Sequence, residues 1–350
     1  MTLNSQLSTL NSLVLAGLLV SRPGANQPLR PKATARTLLG LSVELSRSAS
    51  EAERVRAAQQ VRGTGASLLT VTVSWSACEP DKGRYKVDEV LKTVRLLRQS
   101  GATVHLDLPV VSLRARDVPA DLATTAFDDP RLSTRLGALL DALEPALLDA
   151  STLSLGYAAE NYFEQRPDEL KSYRLLFDGA VTFLKKLTPH LKVGVTTAAP
   201  TESAAPSVAA ALHQRSPVLF YLYAPFERQS PYVHRPPESL ERDWKMLLER
   251  AGGRPIAFPE VSYSSSPENG SSPELQAEFV RRLKRFAASA DGNALLFARY
   301  ASWRDAPAEP PSPSGGSNEA RRLAFLAHRG LQTEKGEPKP AWREWIRAAR

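Results

Sequence analysis

From residue 37 onward the chain alternates between two hydrophobic patterns. Short runs rich in Val, Leu, Ile and Phe are each followed by a longer stretch whose apolar residues recur every three or four positions. The short runs are "TLLGLSVEL", "LLTVTVSW", "TVHLDLPVV", "TLSLGYAAE", "KVGVTTA", "PVLFYLYAP", "PIAFPEVSY" and "ALLFARYASW". Nearly continuous apolar runs are what a strand shows when both its faces are covered, as in a parallel sheet under helices. The longer stretches read as amphipathic helices. In "VDEVLKTVRLLRQSG", Val87, Val90, Leu91, Val94 and Leu97 form one apolar face and leave most charges off it. This stretch and "SLERDWKMLLERAGG" both end in Gly, the residue best suited to a left-handed helix cap. Eight strand–helix units in series predict the α/β class and a single (β/α)8 TIM barrel over residues 37–350. The competing arrangement is an open doubly wound sheet, but its dinucleotide signature, GxGxxG after the first strand, is absent.

Residues 1–36 read differently. "LNSLVLAGLLV" has the length of an export-signal core, and Ala25 could close a cleavage site, which would make the protein secreted or periplasmic. No Lys or Arg precedes the run, so a leader helix on a cytoplasmic protein is the other reading. The Pro-, Arg- and Ala-rich stretch that follows reads as a linker. No run of about 18 apolar residues occurs, so no membrane span is expected. The formal charge is +8, but the basic residues are mixed with acids on helix faces, which argues against a nucleic-acid partner. Cys78 is the single cysteine, so no intrachain disulfide can form.

In a barrel of this kind the site lies where strands end. Those ends carry Glu44, Trp75, Asp107, Glu160, Tyr223, Glu260 and Trp303. Aromatic faces stack on the apolar face of a pyranose and carboxylates bind hydroxyls or attack the anomeric carbon, so the mix suits an oligo- or polysaccharide ligand. Each residue has a plainer role open to it, since strand-end aromatics cap cores and strand-end acids cap helices. The five His are scattered, with no HxH, HExxH or Cys/His cluster, so neither a metal nor another cofactor is expected. GxSxG and GxxxxGK[ST] are also absent.

Four stretches resemble the clan A glycoside hydrolases, retaining β-glycosidases on a (β/α)8 barrel, with galactanase-like members nearest in pattern. They are "SWSACEPDKGRYKVDEV" at strand 2, "PIAFPEVSYSSSPENGSSPELQAEFV" at strand 7, "ARYASW" with Asp305 at strand 8, and "RGLQTEKGEPKPAWREW" at the last helix. The resemblance implies that Glu260 is the nucleophile, that Tyr223 hydrogen-bonds it, and that Trp303 floors the sugar subsite. Trp75, Asp305 and Glu44 join these as substrate-binding candidates.

The match breaks at strand 4. Members of the clan end it with Asn-Glu, the Glu being the acid/base. In "LSLGYAAENYF", aligned on Gly156 and Tyr162, those places hold Tyr157 and Ala158. Glu160 lies two residues on, with the same strand parity but about 6.6 Å further along. Retaining enzymes need their carboxyls about 5–5.5 Å apart and inverting ones about 6.5–9.5 Å. The expectation is therefore a carbohydrate-binding, catalytically impaired barrel in which Tyr157 fills part of the subsite. The alternative is an active retaining β-glycosidase with Glu260 as nucleophile and Glu160 as acid/base. A barrel of unrelated chemistry is the third.

Overall fold

A computed structural model describes residues 35–42, 51–201, 206–309 and 316–347. The leader, the linker except Ala35 and Arg36, and Glu44 lie outside the described residues. The strands are β1 (Leu38–Leu41), β2 (Leu68–Thr72), β3 (Thr103–Asp107), β4 (Thr152–Ser154), β5, β6 (Leu219–Tyr223), β7 (Ile256–Val261) and β8 (Leu295–Tyr300). β5 comes in two pieces, Lys192–Gly194 and Thr196–Ala198, broken at Val195. Its first piece pairs with β4 and its second with β6, all in parallel. β8 pairs with β1, from Leu38 opposite Phe297 to Leu41 opposite Tyr300, so the sheet closes on itself. Each run expected to form a strand does so.

A helix follows each strand, as the alternation predicts. Glu51–Gly63 follows β1, Asp88–Gln99 follows β2 after a short turn of helix at Trp75–Cys78, and the longest are Leu170–Leu187 and Pro273–Ser289. Val94 and Leu97 turn the apolar face of Asp88–Gln99 to the barrel. That helix ends as its Gly predicts. Gly101 has φ +79°, its N–H reaches the carbonyl of Arg98, and the N–H of Ala102 reaches that of Leu97.

Inside the barrel, Leu68, Val218, Phe220, Ala257 and Phe297 form a buried cluster, and His105 meets the Phe220 and Phe297 rings at 5.2 Å. The lower interior is thus a packed plug. At Gly194 a Cβ would lie 2.7 Å from the Val218 carbonyl, a close approach that only glycine permits. Among the described residues, no helix is long and apolar enough to cross a membrane.

Candidate functional site

One irregularity in β7 positions the main candidate. Between Ala257 and Glu260 the strand spans three residues, while its partner β6 spans two, Phe220 to Leu222. Against β8 the register shifts twice: β8 has the extra residue in the stretch facing Ile256 to Phe258, and β7 has it between Phe258, facing Ala298, and Val261, facing Tyr300. The residue common to the two intervals where β7 has the excess is Pro259. Proline has no N–H to give a ladder, so a bulge is where a strand tolerates it. Ala257 belongs to the interior plug, and Phe258 stacks on Trp244 of the helix layer at 4.0 Å. Strict alternation would send Glu260 the same way as Phe258. The extra residue re-aims it into the mouth.

Each oxygen of the Glu260 carboxylate is engaged there. The Tyr157 hydroxyl donates to Oε2 at 2.8 Å, and Arg329 and the Ser262 hydroxyl donate to Oε1 at 2.6 and 3.3 Å. The Glu260 and Arg329 side chains are each 18% exposed. Burial opposes ionisation of Glu260, but Arg329, Arg299 and the Tyr157 and Ser262 hydroxyls outweigh it and hold the carboxyl below its ordinary range. Arg299, on β8 in step with inward Phe297, donates its Nε–H to the Pro259 carbonyl at 2.6 Å. It therefore braces the bulge as well as supplying charge.

Asp107 ends β3 on the same parity as His105 and faces the same cluster. Burial pushes its carboxyl up to about 7, with Arg299 opposing and Glu260 reinforcing the shift. Two carboxyls of opposite protonation habit thus share Arg299: Glu260 ionised, Asp107 inclined to keep its proton.

The end of β4 brings Tyr157 here. The hairpin of Val111–Ser112 and Ala115–Arg116 pins its backbone, with the Tyr157 N–H on Val111 and its carbonyl taking the N–H of Leu113. Burial, then Glu260, drives the Tyr157 hydroxyl well above its usual range, so it stays a donor. Ala158 follows in the left-handed region, φ 46° and ψ 42°, at 3% exposure. That turn starts the helix Ala159–Gln165 and carries Glu160 away along it.

Glu160 is 3% exposed, and its Oε1 accepts from the Ala198 backbone N–H and the Asn161 amide, both at 3.1 Å. Its partners are thus the end of β5 and a neighbour on its own helix, and it shares none with Glu260. Burial raises its pKa, with the Ala198 N–H opposing.

The remaining candidates sit as follows. Trp75 is fully buried, its indole N–H on Glu79 at 2.9 Å. Tyr223 packs among Trp244, Phe258 and Phe279 and donates to Asp243 at 3.1 Å. Trp303 is half-buried, bonded to Gln332 at 2.8 Å and packed on Trp342. Asp305 accepts from the Gly330 N–H at 2.9 Å and the Lys339 ammonium at 2.7 Å. Trp303 and Asp305 therefore fix the segment that carries Arg329 to Glu260. At Gly330 a Cβ would come within 2.1 Å of the Arg304 backbone, so that segment can lie so close only with glycine there.

Arg329, Arg299 and Ser262 are members of the site that the sequence reading missed. Arg299 had a signal: a lone charge on the inward parity of an apolar strand needs a partner. Arg329 had none, since its segment lies 69 residues beyond Glu260. Among the described residues no three His, Cys, Asp or Glu side chains converge as metal ligands.

No protein-family model matches the chain, and no curated protein matches it. Solved structures do. A GH5_18 protein from Bifidobacterium longum subsp. longum aligns with TM-score 0.63 and 15% identity, over 89% of this chain and 78% of that one. A GH5_18 variant from Streptomyces cattleya, solved in complex with Manβ1-4GlcNAc, gives 0.66 and 15%, over 89% and 79%. An exo-β-1,4-mannosidase from Opitutaceae bacterium strain TAV5 gives 0.65 and 14%, over 89% of this chain and 58% of that one. At such identities the likeness establishes the fold alone, a (β/α)8 barrel.

Proposed function

We propose that this protein is a glycoside hydrolase-like barrel that binds an oligo- or polysaccharide at its mouth and hydrolyses it slowly at best. The observation that carries the reading is the Tyr157 hydroxyl on Glu260, 2.8 Å from Oε2, followed in the chain by Ala158, which has no group that could give a proton. A glycosidase needs a proton donor facing its nucleophile, and β4 presents a phenol held far above its titration range instead. Structural neighbours that include a Manβ1-4GlcNAc complex and an exo-β-1,4-mannosidase make β-mannosides the first ligands to try.

A second reading keeps an active retaining enzyme, with Glu260 as nucleophile and Glu160 as acid/base. The raised pKa of Glu160 favours it, because a general acid must hold its proton. One experiment separates the two. Manβ1-4GlcNAc and a panel of plant and microbial glycans are titrated calorimetrically into wild type and Glu160→Gln, and hydrolysis of each is followed. The impaired-barrel reading expects saturable binding, with turnover equally slow in both proteins. A fall in turnover of about 10²-fold or more in a folded Glu160→Gln variant would establish the active reading. No binding by any glycan would refute both.

A further inference from the structure

The polar side chains around Glu260 are committed to partners. The Glu260 oxygens hold Tyr157, Arg329 and Ser262, and Arg299 holds the Pro259 carbonyl. Asp107 Oδ1 is buried and, like Glu160 Oε2, has no hydrogen-bond partner among the described residues; Glu160, however, is held through its other oxygen by the Ala198 N–H and the Asn161 amide. Asp107 is 8% exposed, at the last position of β3, where strand ends open into the mouth. Its backbone is fixed, since the Asp107 carbonyl takes the Val73 N–H at 2.7 Å. A rigid, buried, unpartnered polar atom beside a committed cluster is what a pre-organised ligand contact looks like before the ligand arrives.

We infer that Asp107 is a ligand-binding residue of the mouth, donating a hydrogen bond from its carboxyl group to a hydroxyl of a neutral glycan, so that affinity falls when that proton is lost. The inference rests on the carbohydrate reading and adds to it the contact residue and the pH response. Asp107 can be a donor because of what surrounds it. Glu260 from β7 is already ionised, and a second ionised carboxyl in the same buried cluster meets both desolvation and like-charge repulsion. Arg299 from β8 opposes these effects but does not cancel them, which leaves the titration of Asp107 at about 7.

The other groups that face it do not change charge near neutrality. Glu260 titrates below its ordinary range, and Tyr157, at the end of β4, well above its own. His105, one step down the strand, is held neutral by burial, with its pKa at about 3. The register neighbours, Thr72 on β2 and Ser154 on β4, carry no charge. Asp107, at about 7, is thus the member of this cluster that titrates near neutrality, and the sign follows: the donor is present on the acid side and lost on the alkaline side.

The test is calorimetric titration of full-length wild type, Asp107→Asn and Asp107→Leu with Manβ1-4GlcNAc, and with any other neutral glycan that binds, at pH 5.5, 7.0 and 8.5. For wild type we expect Kd to rise on the order of 5- to 10-fold across that range, the scale of one hydrogen bond to a buried partner. Asp107→Asn retains a donor that cannot titrate, so its Kd should not change with pH. Asp107→Leu should bind weakly at every pH; if it fails to fold, the near-isosteric Asn variant carries the comparison. Wild type and Asp107→Asn sharing one pH profile would overturn the inference and leave the carbohydrate reading standing. Absence of binding at every pH by folded wild type would remove the carbohydrate reading, and the inference with it.

Discussion

Glu260→Gln is expected to abolish whatever hydrolysis of an activated aryl β-mannoside the wild type shows, a loss of at least about 10³-fold, and to weaken the folded barrel as well. The loss of turnover follows from the chemistry. An amide cannot form the glycosyl ester that a retaining mechanism requires, and single members of a covalent catalytic set act on this scale. The loss of stability follows from the surroundings. Arg329 and the Tyr157 hydroxyl both donate to the carboxylate, and the amide turns one acceptor into a donor against them. Hydrogen bonds to charged groups contribute about 1.5–3 kcal/mol, and the partial exposure of this pair points to the lower end.

The sign with pH is definite. The folded-state pKa of Glu260 is depressed, so its contribution is present above the unfolded carboxylate pKa and is lost as pH falls through the folded value. The stability deficit of the Gln variant should therefore be full at pH 7 and shrink in acid. Denaturant melts at several pH values, run beside the hydrolysis assay, check both halves. Activity that survives in the variant would mean that Glu260 is not the nucleophile. An unchanged melt would mean that the Arg329 clamp does not stabilise the fold.

The second large effect is a gain. If slow turnover comes from the end of β4, the double variant Tyr157→Asn/Ala158→Glu should raise kcat/KM for an unactivated β-mannosyl disaccharide by about 10²- to 10⁴-fold, the usual worth of general acid–base assistance. Replacing Tyr157 frees Glu260 Oε2 and supplies room for a longer side chain at the buried Ala158. The backbone cost is already present, because Ala158 itself sits at φ 46°, where any residue with a Cβ bears about 1–2 kcal/mol. Both single variants should gain far less, since one lacks the acid and the other lacks the space. A folded double variant with no gain would show that position 158 does not face the scissile bond.

The scaffold was legible because its signals are local. Eight apolar runs marked eight strands, and Gly101 marked a helix end through a conformation that glycine adopts most readily. Glu260 was legible through its setting, a carboxylate at the end of such a run. Directions of side chains were harder. Whether a strand-end aromatic faces the mouth depends on parity and bulges. Trp75 and Tyr223, both candidates for the mouth, have their polar atoms on Glu79 and Asp243. Pro259 in "PIAFPEV" was the visible trace of the bulge that aims Glu260, but proline in a run also reads as an edge. Glu160 keeps strand parity with Ala158 only if the strand continues. The left-handed turn at Ala158 ends it and starts a helix, which puts Glu160 on the Ala198 backbone. Arg329 comes from a segment remote in sequence, held in place by Asp305, Lys339 and Gly330, and only the closed barrel brings it to Glu260.

The most direct test of the central claim is the dependence of rate on the leaving group. kcat/KM is measured for a series of aryl β-mannosides, from 2,4-dinitrophenyl to phenyl, and for Manβ1-4GlcNAc, on wild type. A barrel that binds the sugar and keeps a nucleophile but lacks a positioned acid cannot protonate the departing oxygen. We expect slow release from the most activated members, a steep fall as the leaving group becomes more basic, and almost none from the disaccharide. Comparable rates along the whole series would contradict the account.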